Sequence, residues 1–163
     1  MAVKKPFITW QDSYSVGINL VDEQHKHLIN LTNKLFDACM AGKDKSKNVF
    51  FDTIREAVDY VSYHFSTEEK VMAEVSYPHY GKHRQEHAYF VREVFKKADD
   101  YNSGRLFAPL SFVYFLRDWI LHHIAISDKK MGDYLLGLQK TGALNKITVK
   151  VKKDETTSRI LIQ

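Results

Sequence analysis

The chain has 163 residues, of which 44% are apolar and 27% are charged, a composition typical of one globular domain with its own core. The single cysteine, Cys39, excludes an internal disulfide, and neither a secretory signal nor an apolar run of roughly 18 residues is present, so we expect a cytoplasmic protein with no membrane association. Five basic and two acidic side chains give residues 141–163 a charge of +3 out of the net +4, and the near-neutral remainder argues against nucleic-acid binding.

Apolar residues recur at steps of three and four along four segments, which predicts four amphipathic helices. The first spans roughly residues 20–41, and the second spans roughly residues 47–75 and ends before Tyr77–Pro78. The third spans roughly residues 81–101, and the fourth spans roughly residues 109–136, with a proline in its first turn. Four such helices joined by short loops predict an all-α fold, an antiparallel up-down-up-down four-helix bundle.

The bundle and the end of the chain have different sequence patterns. We assign residues 1–140 to the bundle, with a short N-terminal loop before the first helix, and residues 141–163 to a C-terminal extension. The β-branched stretches of this tail, Ile147–Val151 and Ile160–Ile162, predict either a short hairpin or a disordered end. Because exposed strand edges can pair between chains, self-association through the tail is an alternative that the sequence leaves open.

Seven ionisable residues interrupt the apolar stripes of the four helices. They are His25, His64, Glu68, His83, His87, His123 and Asp128. Burying an ionisable group without a partner is costly, so seven that converge from four helices need a common partner, and a metal is the simplest one. Imidazole is a ligand for iron, zinc and copper, and carboxylates can bridge two ions. Because seven ligands are too many for one ion, this pattern predicts a two-metal centre.

The spacing of these residues supports a shared site. His64 and Glu68 on the second helix are four residues apart, and so are His83 and His87 on the third, so each of these pairs lies on one helix face. His123 and Asp128 are five residues apart, a less exact match, but Asp128 follows Ile124 by four and remains on the inward stripe. Three further histidines leave the stripes or lie in a turn, and we interpret them as surface or rim residues. They are His27, His79 and His122.

Taken together, these residues and their neighbours resemble the haemerythrin family, in particular its single-domain bacterial members. The matching motifs are Trp10-x-Asp12-Ser13-Tyr14-Ser15-Val16-Gly17-Ile18, Asp22-Glu23-Gln24-His25, His64-Phe65-x-x-Glu68-Glu69, Tyr77-Pro78, His83-x-x-x-His87, and Trp119 before His123-Ile124-x-x-x-Asp128-Lys129-Lys130. The resemblance covers about residues 7–140, and the full series is far more specific than any one motif. Members of the family are standard examples of the up-down-up-down bundle, so the resemblance implies that topology.

The resemblance also implies two iron ions and a division of the ligands between them. His83, His87 and His123 would bind one ion, His25 and His64 the other, and Glu68 and Asp128 would bridge them together with an oxo or hydroxo group. The second ion then keeps an open position, at which the family binds molecular oxygen reversibly, for storage, delivery or sensing. Apolar residues close to the ligands are candidates for lining the oxygen pocket, with plain core packing as the alternative for each. They are Phe65, Trp119, Ile120 and Ile124.

Two other functions could use the same ligands. One is a di-iron enzyme, such as a peroxidase, an oxidase or a nitric-oxide-handling protein, and the other is an iron-donating or repair protein. Ferritin-like oxidases use Glu-x-x-His pairs, whereas no histidine of this chain has a glutamate three residues before it. A centre rich in histidine and poor in carboxylate favours reversible binding over oxygen cleavage, so we expect an oxygen carrier and not an enzyme.

Overall fold

The computed structural model describes residues 5–41, 43–103, 108–143, 149–153 and 156–160. The elements within these residues, in chain order, are a 3-10 turn Asp12–Tyr14, α1 Asn19–Met40, α2 Lys43–Glu74, α3 Tyr80–Asn102, α4 Pro109–His123, a π-helical turn Ile124–Asp128, α5 Lys129–Lys140, β1 Val149–Lys153 and β2 Thr156–Ile160. None of the described helices has both the length and the apolar composition needed to cross a membrane.

The helices form the four-helix bundle that the sequence predicts. α1 packs against α2 and α4, and α2 packs against α3, as expected of helices joined by short connections. α4, the π turn and α5 follow one another without a break, and together they make the fourth bundle helix. α2 begins at Lys43, before the predicted start near residue 47, because the segment Lys43–Lys47 contains no apolar residue from which a helical period could be recognised.

The core of the bundle consists of two apolar layers with a polar layer between them. The first apolar layer includes Leu28, Val61, Phe90 and Ile120. The second includes Val21, Val71, Tyr77 and Met131. Along every bundle helix, the ionisable residues of the predicted site lie between a member of the first layer and a member of the second. The apolar residues therefore determine the depth at which the polar side chains meet.

The end of the N-terminal loop packs against the second apolar layer, to which Val16 and Ile18 belong. The carboxylate of Asp22 accepts a hydrogen bond from the Val16 backbone N–H at 2.8 Å and another from the Ser15 hydroxyl at 2.6 Å. The Lys129 ammonium donates a hydrogen bond to the Ser15 carbonyl oxygen at 2.7 Å. A β-carbon at Gly132 would lie 2.4 Å from the carbonyl oxygen of Val16, so this approach of the loop to α5 requires glycine.

The C-terminal extension contains an antiparallel hairpin. β1 pairs with β2, from Val149 opposite Ile160 to Lys153 opposite Thr156. Residues 144–148, 154–155 and 161–163, which include Ile147, Thr148, Leu161 and Ile162 of the predicted β-branched stretches, lie outside the described residues. The independence of this tail from the bundle, and its pairing with a second copy, remain predictions.

A chain that ends at Gly142 should fold and bind metal as the full-length chain does. The reason is that all seven ionisable residues of the site precede the end of α5 at Lys140. Circular dichroism and metal analysis of both forms would test this expectation. Analytical ultracentrifugation of the same two samples tests self-association, and equal oligomeric states would contradict pairing through the hairpin.

Candidate metal centre

Seven ionisable side chains from all four bundle helices meet between the two apolar layers. α1 supplies His25, α2 supplies His64 and Glu68, α3 supplies His83 and His87, and the fourth bundle helix supplies His123 and Asp128. Each of these residues is at most 3% exposed. The four-residue spacing on α2 and α3 places both members of each pair on the inward face. The structure therefore brings together every residue of the predicted ligand set.

The five-residue spacing on the fourth bundle helix has a structural explanation. His123 ends α4, and the next five residues, Ile124–Asp128, form a π-helical turn. A π turn closes its hydrogen bonds over five residues where an α turn closes them over four, so residues five apart come to lie one above the other. His123 and Asp128 are consequently both buried, whereas Ile126 within the turn is 40% exposed.

The seven side chains form two groups that share their carboxylates, within the part of the chain that the structure describes. In the three-histidine group, ligand atoms of five residues lie within 4.8 Å of one another: Glu68, His83, His87, His123 and Asp128. In the two-histidine group, ligand atoms of four residues do so: His25, His64, Glu68 and Asp128. Two neighbouring sites joined by shared carboxylates are what a pair of bridged metal ions requires.

Two imidazoles of the three-histidine group face each other through their Nε2 atoms. Nδ1 of His87 lies 3.0 Å from Glu69 Oε1, and Nδ1 of His123 lies 3.0 Å from Glu86 Oε2. A carboxylate only accepts hydrogen bonds, so each Nδ1 carries the donated proton, and each ring would offer the lone pair of Nε2 to a metal ion once that atom is deprotonated. The two Nε2 atoms are 3.1 Å apart. Lone pairs at this distance repel each other unless a cation or a proton lies between them.

The electrostatics of the two groups differ when no metal is bound. Burial alone would lower the pKa values of His83 and His123, but the adjacent carboxylates raise them to about 9 and about 10. Burial tends to raise the pKa values of Glu68 and Asp128, and repulsion by Asp128 adds to this effect at Glu68, but the surrounding histidines hold both pKa values well below the usual range. Burial lowers the pKa of His64 to about 4. Metal binding would therefore displace protons mainly from the three-histidine group.

Several buried polar atoms at the centre have no hydrogen-bond partner among the described residues. They are His25 Nδ1 and Nε2, Glu68 Oε1 and Oε2, His83 Nε2, and Asp128 Oδ1 and Oδ2. Some of these atoms lie close to one another, as His25 Nε2 does to Asp128 Oδ2 at 3.1 Å, but none has the geometry of a hydrogen bond. A buried polar atom without a hydrogen bond costs roughly 1–3 kcal/mol, and metal ions could satisfy most of these atoms together. Imidazole nitrogen and carboxylate oxygen are a donor set that suits iron. The side chains present therefore fit a two-metal centre.

Three side chains around the ligands orient the histidines, and the sequence did not identify them. Gln24 Oε1 lies 2.9 Å from Nδ1 of His64. Glu69 and Glu86 hold His87 and His123 as described above, and the Ser127 hydroxyl donates a hydrogen bond to Glu86. Such partners fix the tautomer and the orientation of a ligand histidine. Each of the three residues adjoins a ligand of its own helix but orients a histidine of the next helix. The sequence indicated them only by this adjacency and, for Gln24 and Glu69, by their places in the matching motifs.

The four apolar residues predicted to line an oxygen pocket all lie beside the centre. They are Phe65, Trp119, Ile120 and Ile124, of which Trp119 alone is partly exposed. The Phe65 ring stacks on the His87 ring with 3.6 Å between centroids, and the Trp119 ring stacks on the His123 ring at 4.4 Å. Ile120 also lines an apolar cavity of about 50 Å³ in the first apolar layer. These residues form apolar walls next to the histidines, and their contact with oxygen remains a prediction.

The three histidines interpreted as surface or rim residues lie outside both ligand groups. His79 and His122 are exposed, and His27 is partly buried against the Tyr60 ring. His79 and His122 line a polar cleft of about 220 Å³ that reaches the edge of His83. These positions agree with the interpretation from helix periodicity.

The chain is similar to known proteins over most of its length. The family model described as "Hemerythrin HHE cation binding domain" matches residues 16–135. A protein named Bacteriohemerythrin from Pseudomonas aeruginosa is 31% identical over 121 residues, which cover 74% of this chain and 76% of that protein. A protein of the same name from Methylococcus capsulatus is 28% identical over 129 residues, which cover 78% of this chain and 96% of the relative.

Solved structures show the same similarity at the level of the fold. The crystal structure of a wild-type hemerythrin superposes on this chain with a TM-score of 0.71 at 27% sequence identity. The superposition covers 78% of this chain and 96% of that one. The fold and the spacing of the ligand residues therefore point to the same group of proteins.

Proposed function

Because the chain belongs to the haemerythrin family, we propose that it binds molecular oxygen reversibly at a centre of two iron ions. The observation that carries the proposal is the pair of buried ligand groups that share Glu68 and Asp128. The three-histidine group would hold one ion and the two-histidine group the other, with both carboxylates and an oxo or hydroxo group as bridges. When bound, the iron pair supplies a coordination position that the protein leaves free, at which molecular oxygen can be held and released.

The unequal number of histidines would decide which ion keeps the free position. Both ions share the two carboxylates, but one group has three imidazoles and the other has only His25 and His64. The ion of the two-histidine group therefore has one protein ligand fewer. A small ligand binds only where a position is free, so this side of the centre would face the oxygen.

The surroundings of the centre favour release of unchanged oxygen over its reduction. All seven ligand residues are buried, and apolar layers lie on both sides of them. The stacked rings of Phe65 and Trp119 and the buried side chains of Ile120 and Ile124 would keep water and protons away from the centre. Exclusion of water limits proton transfer and side reactions within a site. Storage, delivery and sensing of oxygen would all use this property.

An absorption spectrum tests the proposal directly. The reduced, iron-loaded protein should be nearly colourless under argon and should gain bands in the near-ultraviolet and visible range on exposure to air. Flushing with argon should reverse the change over several cycles. If the protein instead passes to the diferric form in one turnover, and catalyses reduction of peroxide or nitric oxide with an electron donor, the enzyme alternative replaces the carrier. Rapid transfer of iron to an apoprotein would support the iron-donating alternative.

Widening the apolar wall should shorten the life of the oxygen-bound form. Ile120→Ala or Trp119→Ala would let water reach the centre, so we expect oxidation to the diferric form to become several-fold faster in air. The rate can be followed by absorption at a temperature well below unfolding, because loss of a buried isoleucine side chain costs about 2–5 kcal/mol of stability. Val94→Ala is the control, since Val94 is buried beside the same cavity but lies two turns beyond His87. Equal acceleration in the control would contradict the proposed role of Ile120.

A further inference from the structure

The outer hydrogen-bond partners of the ligand histidines differ between the two groups. In the three-histidine group, the Nδ1 atoms of His87 and His123 donate to carboxylates, those of Glu69 and Glu86. In the two-histidine group, Nδ1 of His64 donates to the neutral amide of Gln24, at 2.9 Å. Nδ1 of His25 has no partner among the described residues. Two outer carboxylates thus support one group and none supports the other.

This difference in hydrogen-bond partners changes the basicity of each imidazole toward a metal ion. A carboxylate that accepts the Nδ1 proton draws it partly away from the ring, so the Nε2 lone pair becomes more basic and binds a cation more strongly. The negative charge of the carboxylate also favours the higher oxidation state of a nearby ion. An amide oxygen orients the ring in the same way but adds no charge. The three-histidine group is therefore the stronger electron donor for reasons beyond its extra histidine.

Gln24 is well placed to maintain this difference. It is 2% exposed, and its Nε2 group has no hydrogen-bond partner among the described residues. The side chain uses only its oxygen atom, as a hydrogen-bond acceptor for His64. A glutamate has nearly the same shape and would accept the same hydrogen bond, without leaving a buried N–H group unpaired. Hydrogen bonding and packing would thus allow a carboxylate here, and the amide differs from it chiefly in its lack of charge.

We propose that Gln24 is a positioning residue that holds His64 through a neutral hydrogen bond and thereby keeps the ion of the two-histidine group the more weakly bound and the less easily oxidised of the pair. This inference rests on the proposed function, because it assumes two ions. Glu69 and Glu86, which accept hydrogen bonds from His87 and His123, strengthen the binding of the other ion and favour its oxidation. The ferric state is therefore more stable on the ion of the three-histidine group, which has the larger number of protein ligands. The ion of the two-histidine group, which would face oxygen, is easier to reduce back to the ferrous state.

Cobalt(II) titration of the metal-free full-length protein tests the inference without any oxygen chemistry. The wild-type protein should bind two ions in two steps of unequal affinity. Gln24→Glu should tighten the weaker step by about tenfold and leave the tighter step unchanged, and Glu69→Gln should weaken the tighter step by about tenfold. Gln85→Glu is the matched control, because Gln85 of α3 is exposed and the added charge is screened by solvent. The control should change neither step.

The outcomes separate this inference from the proposed function. Binding of one cobalt ion by the wild-type protein would overturn the two-ion centre and this inference with it. Suppose that the wild-type protein binds two ions while Gln24→Glu leaves the weaker step unchanged, weakens it, or shifts both steps together. Any of these three results would overturn the role of Gln24 but not the two-ion centre. If Gln24→Glu does not fold, Glu69→Gln and Glu86→Gln decide the question, because both glutamates are partly exposed. Weakening of the tighter step alone supports the inference, and any other result overturns it.

Discussion

Replacement of His123 by alanine should reduce the iron content of the loaded protein from two ions per chain to one or none. The change removes a buried nitrogen from the three-histidine group and leaves Glu86 without the ring that it orients. His122→Ala should leave the iron content at two, because His122 is exposed and belongs to neither ligand group. Metal analysis after loading with excess ferrous iron under argon would measure both.

The pair of variants is closely matched, since the two histidines are adjacent on one helix and the chemical change is the same. Iron loss in His122→Ala with retention in His123→Ala would mean that the rotation of the fourth bundle helix is wrong. A wild-type protein that holds a single ion, or that selects zinc over iron when both are offered, would contradict the iron pair itself.

Removal of the metal should destabilise the protein by about 4 kcal/mol for each ion that is present at 1,000 times its dissociation constant. The physical reason lies in the buried polar atoms of His25, Glu68, His83 and Asp128, which have no hydrogen-bond partner among the described residues. Urea denaturation of the loaded protein and of the chelator-treated protein would give the two free energies of unfolding. A smaller difference is expected in His123→Ala, which serves as the control because it binds fewer ions. Equal midpoints for the two wild-type samples would contradict the prediction.

The helices and the inward position of the ligand residues could be predicted because they depend on local periodicity. Apolar side chains that recur every three or four residues define one face of a helix, whatever its neighbours are. His64 and His87 could be recognised as inward residues on that basis alone, and His122 could be separated from His123. The start of α2 could not be predicted, because a polar first turn such as Lys43–Lys47 has no apolar face.

The π turn marks the limit of that reasoning. In a regular α-helix, residues five apart such as His123 and Asp128 do not lie on the same face. The sequence indicated an inward position for Asp128 only because it follows Ile124 by four residues. The structure reconciles both positions by widening one turn of the fourth bundle helix. The carboxylate of Asp128 lies 3.1 Å from Nε2 of His25 on α1 and 3.2 Å from Nε2 of His83 on α3, so this local distortion depends on contacts with other helices.

The sequence by itself determined which residues face inward, and through them the four-helix bundle and the set of candidate ligands. Periodicity left open how those ligands divide into two groups, which the family resemblance implied, and only the tertiary structure decided which outer side chains orient His64, His87 and His123. Gln24, Glu69 and Glu86 each act on a histidine of the next helix. Such pairs depend on the rotation and the axial offset of neighbouring helices, which the packing of the two apolar layers determines. Periodicity describes one helix at a time and contains no information about either quantity.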